Sequence, residues 1–443
     1  MLNFTQSQKR YRAACEVMPG GVNTSLRRCW PQLVLVRSKG AVITDADGND
    51  YIDYHAAFGP NVLGHNHEAV NARVRSVMEE IDLLGTGTTE LEIQLAEKIC
   101  QHVPSAEKVL FANSGSEATY AAVRLARAAT GRKKLIKFQG CYHGGHDYLA
   151  MNVITPPERL GKRDPLSAGS LTEALEQTLV CRSNDLDDVE DTVREHKGEV
   201  AAIILEPIAH NIGCVLPEPG FLQGLREITR RLGIVLIFDE VITGFRHGLG
   251  GYQKVCGVTP DLTTLGKAMA NGYPIAALCG KAELMDRFNT HPNGNVFFAG
   301  TFNGHPIGCA AALATIEVLE QKATYKHLFA LGDRIRKGLS DIVSRLGLKA
   351  TVAGFGSVFL TYFQEGPIRN YEDLIRNDSA MFVNYRMNLI ERGVFKLPMN
   401  LKRNNVSLSH TAEHIDRTLQ ISEDVLRTMA KRAAASEPAV ARS

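Results

Sequence analysis

Long apolar runs are missing from this sequence. No stretch of about 18 consecutive apolar residues occurs, and the opening segment MLNFTQSQKRYRAACEVMPGG contains no apolar leader. Neither a membrane-spanning helix nor a secretory signal peptide is therefore expected. The nine cysteines lie far apart without a C-x-x-C pair, which is typical of reduced thiols and predicts a cytoplasmic protein.

A surplus of charge of either sign is missing as well. Lys and Arg number 50 and Asp and Glu 48, and the two signs are interspersed. This balance does not indicate nucleic acid or an anionic membrane as a partner. With 443 residues, of which 44% are hydrophobic, the chain can bury a large core and is expected to be globular.

Several common site motifs are absent. No G-x-G-x-x-G follows a predicted strand and no G-x-S-x-G elbow occurs, which argues against a nucleotide-dependent dehydrogenase and a serine hydrolase. His143, His146 and Asp147 are close in sequence, as are His65 and His67, but no spacing joins them into a convergent set of ligands. We therefore predict no metal site.

What the sequence does contain is an alternation of helical and strand patterns. HEAVNARVRSVMEEI and SEATYAAVRLARAATG have helical spacing, whereas EKVLFANSG, KKLIKFQG, EVAAIILEPI and GIVLIFDEVI predict strands. Residues 33–54 predict a hairpin around Asp47-Gly48. The predicted fold is α/β: a large domain with a mostly parallel sheet at residues 65–325, and a smaller α+β domain built from residues 1–64 and 326–443.

One lysine, Lys267, lies among small and apolar residues in DLTTLGKAMANGYPIAA. A lysine is rarely buried unless a partner pairs with it or its charge is removed. Two interpretations are open from these residues alone. Either the side chain reaches water from a loop tip, or the amine forms a Schiff base with a carbonyl compound.

Two further patterns lie at the ends of predicted strands. Ser114, Gly115 and Ser116 occupy a strand-to-helix junction, where free backbone N–H groups and the helix dipole favour a phosphate. The alternative is a helix N-cap without a ligand. Asp239 ends an apolar strand, where its carboxylate needs a cationic partner, either Arg246 or a ligand.

Together with the aromatic Tyr142, these residues outline one ligand. It is anionic at one end, flat, basic at a ring nitrogen and reactive toward an amine. Pyridoxal 5′-phosphate has all of these properties: Lys267 would bind its aldehyde, and Asp239 would keep the pyridine nitrogen protonated. The sequence therefore predicts this cofactor.

Eight segments, in the same order, carry a resemblance to a known family: MPGGVNTSLR, DADGNDYIDY, FANSGSEAT, KFQGCYHGGHD, LEPIAHNIG, IFDEVITGFR, GVTPDLTTLGKAMANGYPIAA and AGTFNGHPIGCAAALATIEVL. Over nearly its whole length the chain resembles the class III, fold type I aminotransferases that depend on pyridoxal phosphate. Within that family it is most similar to the glutamate-1-semialdehyde 2,1-aminomutases.

The resemblance implies a role for each candidate residue. Lys267 would be the catalytic Schiff-base lysine and would carry the proton between two carbon atoms. The cofactor-binding set would be Ser114, Gly115, Ser116, Tyr142, Asn211, Asp239, Val241, Lys267 and Thr301. Thr301 would come from a second subunit, which implies a homodimer with shared active sites. Arg27, helped by Thr24, would bind the substrate carboxylate, with Arg28 and Lys402 as alternatives.

Three departures from the aminomutase pattern concern the substrate. The loop ITPPERLGKRDPLSAGSLTEALEQ is poorer in Gly than a gating loop of that branch, Phe58 replaces a pocket tryptophan, and Lys402 replaces an acidic residue at the pocket mouth. These changes favour release of a keto product. We therefore predict a ping-pong transaminase acting on an amino acid or amine and a 2-oxo acid. The aminomutase and a racemase or epimerase are the alternatives.

Overall fold

A computed structural model of the chain describes residues 2–28 and 30–436. Cys29 and residues 437–443 of the predicted C-terminal segment lie outside this description. The described strands are β1 (Leu35–Lys39), β2 (Val42–Asp45), β3 (Asp50–Asp53), β4 (Lys108–Ala112), β5 (Lys134–Phe138), β6 (Thr178–Cys181), β7 (Val200–Leu205), β8 (Val235–Asp239), β9 (Leu262–Leu265), β10 (Ala276–Gly280), β11 (Thr351–Ala353), β12 (Val358–Tyr362), β13 (Val394–Phe395) and β14 (Asn404–Asn405).

The helices cover both ends of the chain as well as its centre. They are α1 (Thr5–Val17), α2 (Glu68–Glu80), α3 (Glu90–His102), α4 (Gly115–Thr130), α5 (Thr172–Leu175), α6 (Leu186–Glu195), α7 (Phe221–Leu232), α8 (Gly251–Cys256), α9 (Ala282–Met285), α10 (Pro306–Leu319), α11 (Lys322–Arg345), α12 (Tyr371–Leu374), α13 (Ser379–Ile390) and α14 (Ala412–Ser436). Within the described ranges, none of the helices is long and apolar enough to cross a membrane.

The central sheet has seven strands in the order β4-β10-β9-β8-β7-β5-β6, and only β10 runs antiparallel to its neighbours. Every residue of β7 and β8 is buried, because α4 covers one face of the sheet and α7 covers the other. Ile203 therefore packs toward α7, and its neighbour Ile204 packs toward α4. The predicted α/β fold with a mostly parallel sheet is confirmed.

Two smaller sheets lie outside the central one, and the first of them combines segments from both chain ends. One has the order β1-β2-β3-β13, in which β13 pairs in parallel with β3, and the other has the order β11-β12-β14. The predicted turn at Asp47-Gly48 joins β2 to β3, and Gly48 has the positive φ of 85° that this turn requires. The smaller α+β part is thus built from both ends, while its residue limits remain a prediction.

A left-handed turn follows β3. Its four consecutive residues have positive φ: Ala56 (49°), Ala57 (54°), Phe58 (69°) and Gly59 (104°). The left-handed conformation costs a residue other than glycine roughly 1–2 kcal/mol, so the turn needs support from its surroundings. Asp53 accepts the backbone N–H groups of His55 and Ala56, and the guanidinium groups of Arg403 and Arg246 donate to the carbonyls of Phe58 and Gly59.

Several buried cations bind backbone carbonyl oxygens. The Nζ of Lys137 in β5 donates to the carbonyls of Cys141 (2.9 Å), Leu149 (3.2 Å) and Met151. Arg246 donates to Ser357 and to the carbonyl of Val406, and Arg386 to the carbonyls of Leu397 and Lys402. Because the charge on each group is buried, these bonds compensate for lost hydration.

Candidate active site

A cavity of about 260 Å³ lies beyond the carboxyl ends of the central strands, where open α/β sheets place their ligands. Seven of the predicted site residues line it: Ser114, Gly115, Ser116, Tyr142, Asp239, Val241 and Lys267. They come from the N-terminus of α4, the loop after β5, the end of β8 and the segment after β9. Parts of the chain far apart in sequence therefore meet at one site.

The N-terminus of α4 forms one end of the cavity. Ser114 is the N-cap: its Oγ accepts the N–H of Glu117, and the Glu117 carboxylate accepts the N–H of Ser114. The N–H groups of Gly115 and Ser116 have no acceptor inside the helix, because the helix begins here. This end of a 16-residue helix favours an anion.

Two glycines allow close approach at this end. A Cβ atom added to Gly144, whose φ is 105°, would lie 2.8 Å from the Oγ and 2.9 Å from the Cα of Ser116. A Cβ atom added to Gly115 would lie 3.0 Å from both γ-carbons of Val241. The positions therefore accept only glycine without displacement of the anion-binding residues or of the cavity wall.

Asp239 ends β8 and is 5% exposed. Its carboxylate accepts three hydrogen bonds, from His143 Nδ1 (2.7 Å), the N–H of Val241 (3.1 Å) and Thr264 Oγ1 (3.0 Å). These donors fix the orientation of the carboxylate. Arg246, the alternative partner considered from the sequence, does not pair with Asp239 and instead bonds the left-handed turn, Ser357 and Val406.

His143 was considered in the sequence only as a metal ligand. The described residues contain no group of three or more metal-binding side chains, and His143 is fully buried against Asp239. Its Nδ1 bears the hydrogen, because the carboxylate can only accept. The sequence signal was available, since this histidine follows β5 next to Tyr142 of the predicted cofactor-binding set.

Lys267 has a φ of 44°, a left-handed conformation that is strained for lysine, and the three residues after it are buried. Strain of this kind often accompanies functional sites. Burial, together with the charge of Arg403, lowers the pKa of Lys267 to about 8, although Asp239 and Glu206 oppose the shift. The neutral amine, which is the nucleophilic form, is thus far more populated at pH 7 than in an ordinary lysine.

Glu206 is a cavity residue that the sequence reasoning missed. It is 5% exposed, and burial raises its pKa. Its Oε1 accepts the N–H of Tyr142 at 2.9 Å, and its Oε2 accepts those of His210 (2.9 Å) and Asn211 (3.1 Å). The Glu206 carboxylate therefore connects the loop after β5, which carries Tyr142, with the segment after β7, which carries His210 and Asn211. The signal was the same as for Asp239, an acidic residue directly after an apolar strand.

Asn211 and Lys402 lie together behind the cavity wall. The Nδ2 of Asn211 donates to the carbonyl of Gly140 at 2.9 Å, and its Oδ1 and backbone carbonyl each accept from Lys402 Nζ at 3.1 Å. Lys402 is only 6% exposed, and burial, together with the charge of Arg403, lowers its pKa to about 8. Lys402 is thus an internal residue rather than one at the pocket mouth.

A second groove has a volume of about 360 Å³. Arg27 and Phe58 line it, together with apolar residues and His55. Thr24 precedes the 3₁₀ turn that carries Arg27, and it is exposed and outside both the groove and the cavity. Thr301 is likewise exposed and lines neither. The structure therefore brings seven of the nine predicted cofactor residues together at the cavity, whereas Asn211 does not line it and Thr24 and Thr301 lie outside.

Known proteins resemble the chain over most of its length. The sequence profile of the family described as "Aminotransferase class-III" matches residues 26–426. The chain belongs to this family. Pyridoxal 5′-phosphate is the cofactor of class III aminotransferases, so the prediction of the cofactor is confirmed together with the predictions of fold and family.

Among curated members, the glutamate-1-semialdehyde 2,1-aminomutase of Methanothermobacter thermautotrophicus is 42% identical over 95% of this chain and 99% of its own. That of Methanocaldococcus jannaschii is 42% identical over 96% of this chain and 98% of its own. Among solved structures, an omega-transaminase from Sphaerobacter thermophilus is 32% identical with a TM-score of 0.90, covering 96% of this chain and 98% of that one. A glutamate-1-semialdehyde-aminomutase from Pseudomonas aeruginosa PAO1, in complex with PMP, is 25% identical with a TM-score of 0.87, covering 95% of this chain and 94% of that one.

These relatives correct one prediction. The sequence reasoning favoured a transaminase, and that prediction is wrong, because curated members about 40% identical over almost the whole chain are named aminomutases. The reasoning gave too much weight to three local departures: the loop composition, Phe58 and Lys402. Identity distributed over the entire chain outweighs them.

The residues of the cavity fit pyridoxal phosphate. The free N–H groups of Gly115 and Ser116 suit a phosphate, and the absence of side chains at Gly115 and Gly144 leaves room for it. The buried carboxylate of Asp239 suits a protonated ring nitrogen, and the amine of Lys267 suits an aldehyde. The chemistry of this donor set is therefore that of the predicted ligand.

Proposed function

We propose that the protein is a glutamate-1-semialdehyde 2,1-aminomutase, an isomerase that forms 5-aminolevulinate. The observation that carries the proposal is the end-to-end similarity to curated aminomutases, 42% identical over 95% of this chain and 99% of the relative. The reaction exchanges an amino group and a carbonyl oxygen between two adjacent carbons of one molecule. It therefore needs no 2-oxo acid acceptor, unlike the transamination first predicted.

The cavity residues would bind the cofactor in the following way. Gly115 and Ser116 would donate their N–H groups to the phosphate, with Ser114 capping the helix that orients them. Val241 and Tyr142 would lie on the two ring faces, Asn211 near the ring hydroxyl, and Asp239 at the ring nitrogen. When bound, the cofactor supplies an aldehyde carbon for exchange with amines and a cationic ring that accepts electrons.

Lys267 would move the protons. Its Nζ, on a partly buried residue whose preference for the ammonium form is weakened, would remove a proton at one substrate carbon and return it at the next. His143 would orient the carboxylate of Asp239 through its 2.7 Å hydrogen bond. Lys267 would thus have the reactive role, and His143 would have a positioning role.

The substrate carboxylate, which substrate and product share, would bind to Arg27. Arg27 lines the same groove as Phe58, and a planar guanidinium suits a carboxylate. Thr24 would assist from the preceding turn. Lys402 would act through Asn211, to which it donates two hydrogen bonds, rather than on the substrate directly. Thr301 would reach the cofactor of a second subunit in a homodimer.

The test is the conversion of glutamate 1-semialdehyde to 5-aminolevulinate by the purified protein without any added 2-oxo acid. We expect turnover that added acceptors do not accelerate. Lys267→Ala is the matched variant, and we expect it to fold, to bind the cofactor noncovalently and to lose turnover. Absence of 5-aminolevulinate, combined with amino transfer from a donor to a 2-oxo acid, would contradict the proposal.

A further inference from the structure

Asn271 connects two parts of the cavity wall through one buried side chain. It is 8% exposed. Its Oδ1 accepts the N–H of Leu63 at 2.9 Å, and its Nδ2 donates to the carbonyl of Gly64 at 2.9 Å. The orientation of the amide is thereby defined, because a backbone N–H only donates and a carbonyl only accepts. Asn271 is therefore bound to residues 61–65, a segment that directly follows the cavity residue Pro60.

The first part of the wall is the turn that carries Lys267. Lys267–Ala270 forms a short 3₁₀ helix, and Asn271 directly follows it. Lys267 and residues 272–275 all line the cavity. The turn begins and ends in the left-handed conformation, with a φ of 44° at Lys267 and of 47° at Asn271. Strain of this kind persists only where the surroundings impose it, so the turn needs a fixed contact close to its end.

The second part of the wall, residues 61–65, provides such a contact because it is itself bound on two sides. His65 exchanges two backbone hydrogen bonds of 2.8 Å with Gly40, which lies between β1 and β2. Ser409 Oγ donates to the carbonyl of Leu63 at 2.7 Å from the segment before α14. Segments from both chain ends therefore fix the backbone to which Asn271 binds.

The two parts of the wall also meet directly beside Asn271. A Cβ atom added to Gly272, whose φ is 102°, would lie 2.5 Å from the Oδ1 of Asn61. The Nδ2 of Asn61 lies 3.0 Å from the Nδ1 of His65. The hydrogen bonds of Asn271 therefore lie next to a close contact between the two parts, where a shift of one part moves it relative to the other.

We propose that Asn271 is a positioning residue that fixes the turn of Lys267 against residues 61–65 and thereby holds the amine of Lys267 where it reacts. The inference rests on the proposed role of Lys267 as the amine that binds the cofactor aldehyde. Asparagine suits the position because it offers one donor and one acceptor and tolerates a positive φ. Without these bonds the strained lysine would relax, and a misplacement of about 1 Å can slow a reaction about 100-fold.

The test measures how fast Lys267 becomes attached to pyridoxal phosphate. Cofactor-free, full-length protein is mixed with saturating pyridoxal phosphate, and samples are treated with borohydride at intervals. The amine condenses with the aldehyde and releases water, and borohydride reduces the new carbon–nitrogen double bond to a stable amine that peptide mass spectrometry counts. In Asn271→Gly, which tolerates the positive φ but removes both hydrogen bonds, we expect attachment to be about 10- to 100-fold slower.

Pyridoxamine phosphate separates this role from a general support of the cavity. It carries the phosphate and the ring but no aldehyde, so its binding does not require a correctly placed Lys267. We expect Asn271→Gly to bind it with the native dissociation constant. If the binding of pyridoxamine phosphate weakens as much as attachment slows, the cavity as a whole has changed and the proposal is wrong.

Two further variants complete the test. Asn66→Gly is the matched control, because Asn66 also has a positive φ, of 49°, and its Nδ2 donates to the carbonyl of Ser38, but it is exposed and does not line the cavity. We expect native attachment. Asn271→Asp has the same shape but cannot donate to Gly64, and we expect slower attachment. Native attachment in a folded Asn271→Gly would overturn the proposal, and so would native attachment in Asn271→Asp should the glycine variant fail to fold.

This readout is independent of the overall reaction. If the native protein forms no 5-aminolevulinate but attachment is slow in Asn271→Gly, the proposed function is refuted and the role of Asn271 is supported. If the native protein forms 5-aminolevulinate and attachment does not depend on Asn271, the role of Asn271 alone is refuted.

Discussion

Substitution of Gly144 by alanine should weaken cofactor binding by displacing Ser116. The added Cβ would lie 2.8–2.9 Å from the Oγ, Cβ and Cα of Ser116, and the φ of 105° at Gly144 is unfavourable for alanine. Because one of these atoms belongs to the backbone, a change of rotamer cannot relieve the overlap. Ser116 must move, and with it the N–H group proposed to bind the phosphate.

The expected loss of cofactor affinity can be calculated from the hydrogen bond to the phosphate that would be lost. A hydrogen bond to a charged group contributes about 1.5–3 kcal/mol, so the loss of one bond to the phosphate should raise the dissociation constant about 10- to 150-fold. The backbone strain adds a cost of roughly 1–3 kcal/mol to folding. Alanine at position 144 should therefore lower both cofactor affinity and the melting temperature.

Gly145→Ala is the matched control, because no atom lies within 4 Å of its added Cβ and its φ is not in the left-handed range. Cofactor-free protein is titrated with pyridoxal phosphate and, separately, with pyridoxal, which lacks the phosphate. We expect Gly144→Ala to weaken the binding of pyridoxal phosphate more than the binding of pyridoxal. We expect Gly145→Ala to change neither affinity. Native affinity of a folded Gly144→Ala for pyridoxal phosphate would refute the assignment of the phosphate site.

Two predictions concern stability. Burial lowers the pKa values of His55, His146 and His410 to about 4, 4 and 3, so the folded chain stays neutral at sites that protonate in the unfolded chain. The lower pKa values in the folded chain contribute to the free energy of unfolding, and this contribution is present above pH 6.5 and is lost as the pH falls. Each of the three should contribute a loss of about 2 kcal/mol between pH 7 and pH 5, and equal free energies of unfolding in urea at the two pH values would contradict this. Ala57→Gly, at an exposed residue with a φ of 54°, should raise the free energy of unfolding by up to about 1 kcal/mol, whereas no gain in urea denaturation would show that the turn is unstrained.

Much of the large domain could be predicted because its signals are local. The N-cap at Ser114 and the glycine at Gly131, which has a φ of 69°, fix both ends of α4. The apolar runs of β7 and β8 are buried on both faces, as their composition indicates. Asp239 was identified as a site residue because it ends one of these runs.

The rest of the site depends on contacts that no local pattern reports. His143 and Asp239 are 96 residues apart, and Arg403 and Phe58 are 345 apart, so only the folded chain brings each pair together. The sequence also does not predict the left-handed turn at residues 56–59, because alanine and phenylalanine do not favour positive φ. Its conformation is imposed by Asp53 and by arginines from distant segments.

The carbonyl-bound cations have a consequence for how the protein responds to salt. Lys137, Arg246 and Arg386 are fixed by dipoles that neither titrate nor attract counter-ions, and water does not reach them. Surface ion pairs such as Arg334–Asp416 are screened as the ionic strength rises. Arg246 connects the segment after β8 with segments from both chain ends. These connections should therefore persist in concentrated salt, and the cavity should keep its shape under conditions that abolish attraction at the surface.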